Sequence, residues 1–160
     1  MNQTIKDSDK QLNALYNQDF YQWVQTTIDN IHNRDLDSLD WANLLEELED
    51  LGNEQKHQLE SRLLVLFEHL LKLTYWHQER NYNSRGWQGT IIEQRKQIKK
   101  LLKRNPSLKP FFLEIFAENY QDARDIVIVK TGLEPEIFPL ESIASPEQAL
   151  DENWLPDQTN

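Results

Sequence analysis

The sequence has no cysteine, which excludes disulfide bonds and metal sites with thiolate ligands. An absence of cysteine is typical of a reducing compartment. There are only four glycines, and none has the spacing of a phosphate-binding loop. No apolar run is long enough to cross a bilayer, and the first residues lack the apolar core of a signal peptide. We therefore predict a soluble cytoplasmic protein without a membrane segment.

Positive charge is scarce and unevenly distributed. The sequence contains 17 Lys and Arg residues and 27 Asp and Glu residues, so its formal net charge is −10. This charge disfavours general affinity for nucleic acids or anionic membranes. Residues 80–109 nevertheless hold nine basic residues and one acid, whereas residues 35–60 hold nine acids and one base. We expect these two segments to pack beside each other. The alternative is a basic surface for an external polyanion.

The longest helical pattern runs from Trp41 to His77 without a proline. Leucines recur on one side of it at the α-helical period: Leu44, Leu48, Leu51, Leu59, Leu63, Leu66, Leu70 and Leu73. The pattern continues through Gly52, which therefore bends or loosens a single helix. Residues 63–73 are apolar around nearly the whole circumference, so other helices should enclose them. If it were straight, this helix would be about 55 Å long, which exceeds the diameter of roughly 40 Å expected for a compact domain of this size. Either it bends near Gly52 or its acidic first half projects.

Three further helices are predicted, from Asp19 to about Asn33, from about Ser84 to Arg104, and from about Lys109 to Lys130. Residues 81–86, rich in turn formers, separate the long helix from the basic one, and Pro106 ends the basic helix. The charged residues of the basic helix, Arg95 among them, are expected to project outward. Gly132 is typical of the residue that follows a helix.

These segments predict an all-α fold, an antiparallel helical bundle around one long central helix with an extended C-terminal strap. Residues 133–160 combine four prolines with many apolar side chains, which favours a strap packed across the bundle with one helical turn at residues 145–147. We predict three regions: a loosely ordered arm over residues 1–15, a helical bundle domain over residues 16–132, and the strap over residues 133–160.

A polar stripe on the long helix contains Glu46, Glu49, His57 and Glu60. Carboxylates and imidazoles on successive turns form the di-metal sites of helical bundles, and Glu54 and His57 have the i, i+3 spacing found there. Such sites normally need a second Glu-x-x-His motif, which the sequence lacks. The favoured interpretation is a solvated or salt-bridging face, and the alternative is a metal site. We predict no cofactor.

Two more groups of residues could carry chemistry. His69 lies among the leucines of the long helix, and we interpret it as a buried imidazole with a hydrogen-bond partner; the alternative is a general base paired with a carboxylate. Arg85, Trp87, Arg95 and Lys99 combine aromatic and cationic groups, as sites for single-stranded RNA do. The alternative is that Trp87 is a core residue. The net charge of −10 also disfavours binding to nucleic acid.

The order of these segments resembles domain-of-unknown-function family twenty-nine, small helical proteins found mostly in cyanobacteria. The resemblance covers roughly residues 16–156 and rests on these matches: D-F-Y-x-W at 19–23, D-W-x-x-L-x-E-E-L-E-x-L-G at 40–52, L-E-S-R-L at 59–63, H-L-L-K at 69–72, W-x-x-T-I-x-E-Q-R at 87–95, N-P-S-L at 105–108, Y-x-x-A-R at 120–124, T-G-L at 131–133 and F-P at 138–139. It implies an all-helical, mainly antiparallel bundle in a bacterial cytoplasm. It implies no activity.

Three functional hypotheses follow. The favoured one is a non-enzymatic protein–protein interaction module, which binds another protein or a second copy of itself through the acidic half of the long helix or through the basic helix. The second is an RNA- or DNA-binding or nuclease-type protein that uses the basic helix at residues 85–104. The third is a metal-dependent hydrolase on the acidic stripe. We favour a protein without enzymatic activity.

Overall fold

The computed structural model describes residues 11–157, and all regular structure in this part is helical, as predicted. After a helical stretch over residues 11–18 come α1 (Phe20–His32), α2 (Trp41–Tyr75), α3 (His77–Arg104), α4 (Lys109–Thr131) and α5 (Pro146–Leu150). Short 3-10 turns lie at Leu36–Ser38, Pro106–Leu108 and Pro135–Ile137. Most of the predicted N-terminal arm, residues 1–10, lies outside the described residues, and its last five residues are helical.

The chain divides into two compact units, Met1–Asn53 and Glu54–Asn160. Helix α2 contributes residues to both, because it continues through Gly52 without a break. The boundaries predicted from the sequence for the bundle domain and the strap, residues 16–132 and 133–160, stay a prediction.

The first unit has a small core. Helix α1 begins as predicted, with the Asp19 carboxylate accepting a hydrogen bond from the backbone N–H of Gln22. Asp40 caps α2 in the same way, accepting from the backbone N–H of Asn43 at 3.4 Å. The buried apolar residues of the described part of this unit are few: Leu12, Trp23 and Leu39.

In the second unit α2 and α3 form an antiparallel hairpin, and the link is shorter than predicted. The break lies at Trp76, whereas residues 81–86, predicted as a turn, belong to α3. That prediction was wrong because Gly and Asn cost only about 1 kcal/mol each inside a helix, which packing can offset. Trp76 stacks on Trp87 with ring centroids 5.8 Å apart, and this contact fixes the start of α3 against the end of α2.

Residues 63–73 of α2 form the centre of the second unit, as predicted. Seven of these eleven residues are buried: Leu63, Leu66, Phe67, Glu68, Leu70, Leu71 and Leu73. The Phe67 ring packs edge-on against Phe116 and Tyr120 of α4, with centroids 5.0 and 5.3 Å apart. Ile91 and Ile98 of α3 are fully buried in the same cluster. Three helices therefore share one core.

Helix α4 ends as predicted at Gly132, whose φ of 67° lies in the left-handed region that glycine adopts without a steric penalty. The strap then crosses this unit. Phe138, Ala144 and Ala149 are buried, and the Tyr120 hydroxyl donates a hydrogen bond to the Pro139 carbonyl at 2.8 Å. The predicted helical turn is α5, opened by a capping box between Ser145 and Gln148.

None of the helices found between residues 11 and 157 is both long enough and apolar enough to span a membrane.

Candidate functional site

The first half of α2 exposes large apolar side chains. Trp41, Leu45, Leu48 and Leu51 are 51%, 55%, 56% and 57% exposed. At 100° per residue they fall within a sector about 120° wide, and we call this set the apolar stripe. The sequence places Leu48 and Leu51 on the same side as the buried leucines of the second unit, but in the structure these two side chains are largely exposed.

Acidic side chains surround the apolar stripe. Residues 11–53 contain nine Asp and Glu against one base, Arg34. Glu47 accepts a hydrogen bond from the Tyr16 hydroxyl at 2.6 Å, and this contact raises the pKa of Tyr16 to about 12. Glu46, Glu49 and the rest of the acidic residues at 46–50 lie outside the sector of the apolar stripe. The first unit is therefore both apolar on one face and strongly negative.

Helix α1 also leaves apolar residues in solvent. Its apolar side chains recur at the helical period, but only Trp23 and Thr27 are buried, whereas Phe20, Ile28 and Ile31 are 49%, 42% and 45% exposed. Helix α1 therefore has more apolar surface than the described residues cover. Exposed apolar surface on two helices of one small unit is typical of a binding face.

The polar stripe does not gather into a metal centre. Glu46 and Glu49 are exposed in the first unit. His57 and Glu60 are neighbours in the second unit, with Nδ1 and Oε2 3.4 Å apart and side chains 77% and 40% exposed. Among residues 11–157 no group of three or more His, Asp or Glu side chains is arranged to hold a metal ion.

The four residues of the nucleic-acid hypothesis do not share one open surface. Arg85 is exposed, and Trp87 is half-buried against Trp76. Lys99 forms an ion pair with Glu152 at 3.1 Å. Arg95 is fully buried, so the prediction that its side chain projects outward was wrong.

Arg95 is the residue that fixes the strap. Its guanidinium donates hydrogen bonds to the carbonyls of Ala149 and Trp154, both at 2.8 Å, and of Gln148 at 3.3 Å. Burial lowers the pKa of Arg95, and the carboxylates of the strap oppose that effect. The sequence contained a signal for this position, since Arg95 follows Ile91 by four residues and precedes Ile98 by three, the spacing of the buried seam.

His69 has the hydrogen-bond partner predicted for it and is half-buried. Its Nδ1–H donates to the Val65 carbonyl at 2.8 Å. Removal from water lowers the pKa of His69, and the neighbouring Lys72 acts in the same direction. Sequence reasoning missed the ion cluster beside it, in which the buried Glu68 carboxylate accepts from Lys130 at 2.6 Å and lies 3.7 Å from Lys72.

Residues 54–157, the described part of the second unit, do not show the expected pairing of acidic and basic segments through ion pairs. The ion pairs of this part other than that of His57 with Glu60 join Glu68 to Lys72 and Lys130, Lys99 to Glu152, and Arg124 to Asp125. The acidic residues 54 and 60 make no ion pair with the basic residues of α3. The basic helix instead contacts the strap.

Comparison with known proteins places the chain by family. The sequence model of the family described as "Domain of unknown function DUF29" matches residues 15–155. No curated protein and no solved structure matches the chain.

Proposed function

Because the chain belongs to the DUF29 family, whose description names no reaction, we propose a function from its geometry. The protein is a non-enzymatic protein–protein interaction module of the bacterial cytoplasm. Its first unit binds a basic amphipathic helix of a partner protein. The observation that carries this proposal is the exposed apolar stripe within a strongly acidic unit. The absence of cysteine supports a reducing compartment.

Burial of the apolar stripe supplies the driving force for binding. Complete burial of one leucine side chain contributes about 1.5–3 kcal/mol. The four side chains are each about half exposed, so a partner that covers them gains roughly 4 kcal/mol before the costs of association. The spacing at residues 41, 45 and 48 is i, i+4, i+7, which matches the ridges of a helix packed alongside.

The charge of the first unit selects the partner. Nine acids against one base in residues 11–53 attract a helix that carries Lys and Arg beside its apolar residues. The first unit of a second copy would bring the same negative charge to the interface, and like charges oppose association. An anionic membrane surface is disfavoured for the same reason.

The test is a titration of the full chain with a synthetic amphipathic peptide of leucine and lysine, followed by tryptophan fluorescence. Trp41 belongs to the apolar stripe, so peptide binding should shift its emission to shorter wavelength. Leu45→Glu and Leu48→Glu should each weaken binding at least tenfold. Leu113→Glu is the matched control, since Leu113 is an exposed helical leucine in the second unit; it should leave the affinity within about twofold.

Three results would overturn the proposal. One is equal binding of a peptide with the same composition in scrambled order, which would show charge attraction alone. Another is an equal loss in Leu113→Glu. The third is a dimer in light scattering that Leu48→Glu converts to a monomer, because the apolar stripe would then bind a second copy.

A further inference from the structure

A groove between α2 and α3, within the second unit, concentrates positive charge. One cavity of about 190 Å³ is lined by Leu101 and by three cationic side chains and three amides, namely Arg62, Lys100, Arg104, Gln55, Gln58 and Gln97. No acid lines it. An adjoining cavity of about 420 Å³ shares Arg62 and Gln58 with it and is otherwise lined mainly by Ser61, His57, Glu54 and Gln94. We call the two together the cationic groove.

The three cations of this groove have no carboxylate partner. Within residues 11–157 none of them takes part in an ion pair. Arg62 has one weak contact, from Nη1 to the Gln94 side-chain oxygen at 3.5 Å. The exposed Lys96 and Lys103 of the same helix also make no ion pair with the described residues, so the feature that distinguishes the groove is the convergence of three cations on one cavity. Like charges that converge on one cavity repel each other unless an anion occupies it.

The residues of α3 that line this groove and those that bind the strap lie on different faces of the helix. Arg95 and Lys99 are one turn apart and bind the strap. Gln97, Lys100 and Arg104 lie on a different face and line the groove. The basic character of α3 therefore serves two purposes, and the groove is independent of the apolar stripe in the first unit.

We propose that the cationic groove binds a small phosphate ester of the nucleotide or sugar-phosphate class. Arg62, Lys100 and Arg104 hold the phosphate, since guanidinium and ammonium groups form charge-assisted hydrogen bonds with phosphate oxygens. The uncharged part of the ligand occupies the larger cavity, where Ser61, Gln58 and Gln94 offer hydroxyl and amide groups. Glu54, which lines that cavity, accepts hydrogen bonds from ligand hydroxyls and keeps a second phosphate out.

The test is calorimetric titration of the full chain at low salt with adenosine monophosphate, adenosine, glucose 6-phosphate, glucose and inorganic phosphate. At least one phosphate ester should bind ten times more tightly than its unphosphorylated counterpart and than inorganic phosphate. The double variant Lys100→Gln with Arg104→Gln should weaken that binding at least tenfold. The control is Lys96→Gln with Lys103→Gln, which removes the same charge from exposed positions of α3 that do not line the groove.

Each alternative outcome contradicts the proposal in a specific way. If no ester binds at millimolar concentration, the groove is not a phosphate site. If the control pair weakens binding as much as the groove pair, the attraction is general electrostatics. If a ten-base single-stranded oligonucleotide binds more tightly than any ester and both pairs weaken it equally, α3 is a polyanion surface. All four positions are exposed, so both double variants should fold. Thermal melts followed by circular dichroism verify this.

Discussion

At the residue scale, the polar side chains within the buried segment of α2 each have a defined partner. His69 donates to the Val65 carbonyl, and the Glu68 carboxylate is shared by Lys72 and Lys130. A carboxylate buried among leucines would cost several kcal/mol without these partners. The sequence shows that Glu68 lies within the apolar segment at residues 63–73 but not that α4 supplies Lys130, because that contact joins residues far apart in the chain.

His69 makes the stability depend on pH. Its pKa in the folded state lies below the usual 6.5, chiefly because burial disfavours the charged ring. The unfolded chain therefore binds more protons between the two pKa values, so stability is complete above pH 6.5 and falls as the pH falls below it. We expect the loss between pH 7.5 and 5.5 to be smaller in His69→Gln than in the natural sequence, because the variant has no imidazole to protonate. Urea unfolding at both values measures it, and an identical loss in both proteins would contradict this assignment.

Arg95 shows how one side chain fixes a segment. Arg95→Lys keeps the charge but loses the planar fork that reaches the carbonyls of Gln148, Ala149 and Trp154. We expect a loss of about 3 kcal/mol in the free energy of unfolding, since hydrogen bonds from a charged donor contribute about 1.5–3 kcal/mol each. Proteolysis of the strap should become faster as well. Lys96→Arg, the reverse exchange at an exposed neighbour, should change neither; equal effects would contradict the role of Arg95.

At the element scale, helix boundaries were predictable where a local signal decided them. Asp19, Pro106 and Gly132 mark helix ends in both sequence and structure, because caps and proline act within one turn. The start of α3 was not predictable, since residues 81–86 have weak helix propensity and the Trp76–Trp87 stack that offsets it depends on tertiary packing.

Two glycine substitutions test these helix assignments. Gly86 lies inside α3 with open space around its Cα, so Gly86→Ala should stabilise the protein by about 0.5–1 kcal/mol. Gly132 has positive φ, so Gly132→Ala should destabilise it by about 1 kcal/mol. Urea unfolding gives both values. A destabilising Gly86→Ala would indicate that residues 81–86 form the turn that the sequence suggests.

At the scale of the whole molecule, the two units use leucine differently. In the second unit Leu63, Leu66 and Leu70 are fully buried, as a helix apolar on all sides predicts. In the first unit Leu48 and Leu51 continue the periodicity but are exposed. Periodicity gives the side of a helix on which an apolar residue lies, but it cannot show whether anything covers that side. The core was therefore predictable from the sequence. The acidic half of the long helix was one of the contact surfaces that the sequence suggested, but the exposure of its leucines was not predictable.

The proposed binding face requires this difference in exposure between the two units, and the absence of cysteine allows a direct measurement of it. Single variants Leu48→Cys and Leu66→Cys are treated with a thiol reagent, with and without the basic amphipathic peptide. Leu48→Cys should react within about tenfold of the rate of a cysteine in a short peptide and should be protected by the amphipathic peptide, whereas Leu66→Cys should react at least about a hundredfold more slowly, through unfolding. If Leu48→Cys is as slow as Leu66→Cys without the peptide, the apolar stripe is covered by the protein itself and the proposed binding face does not exist.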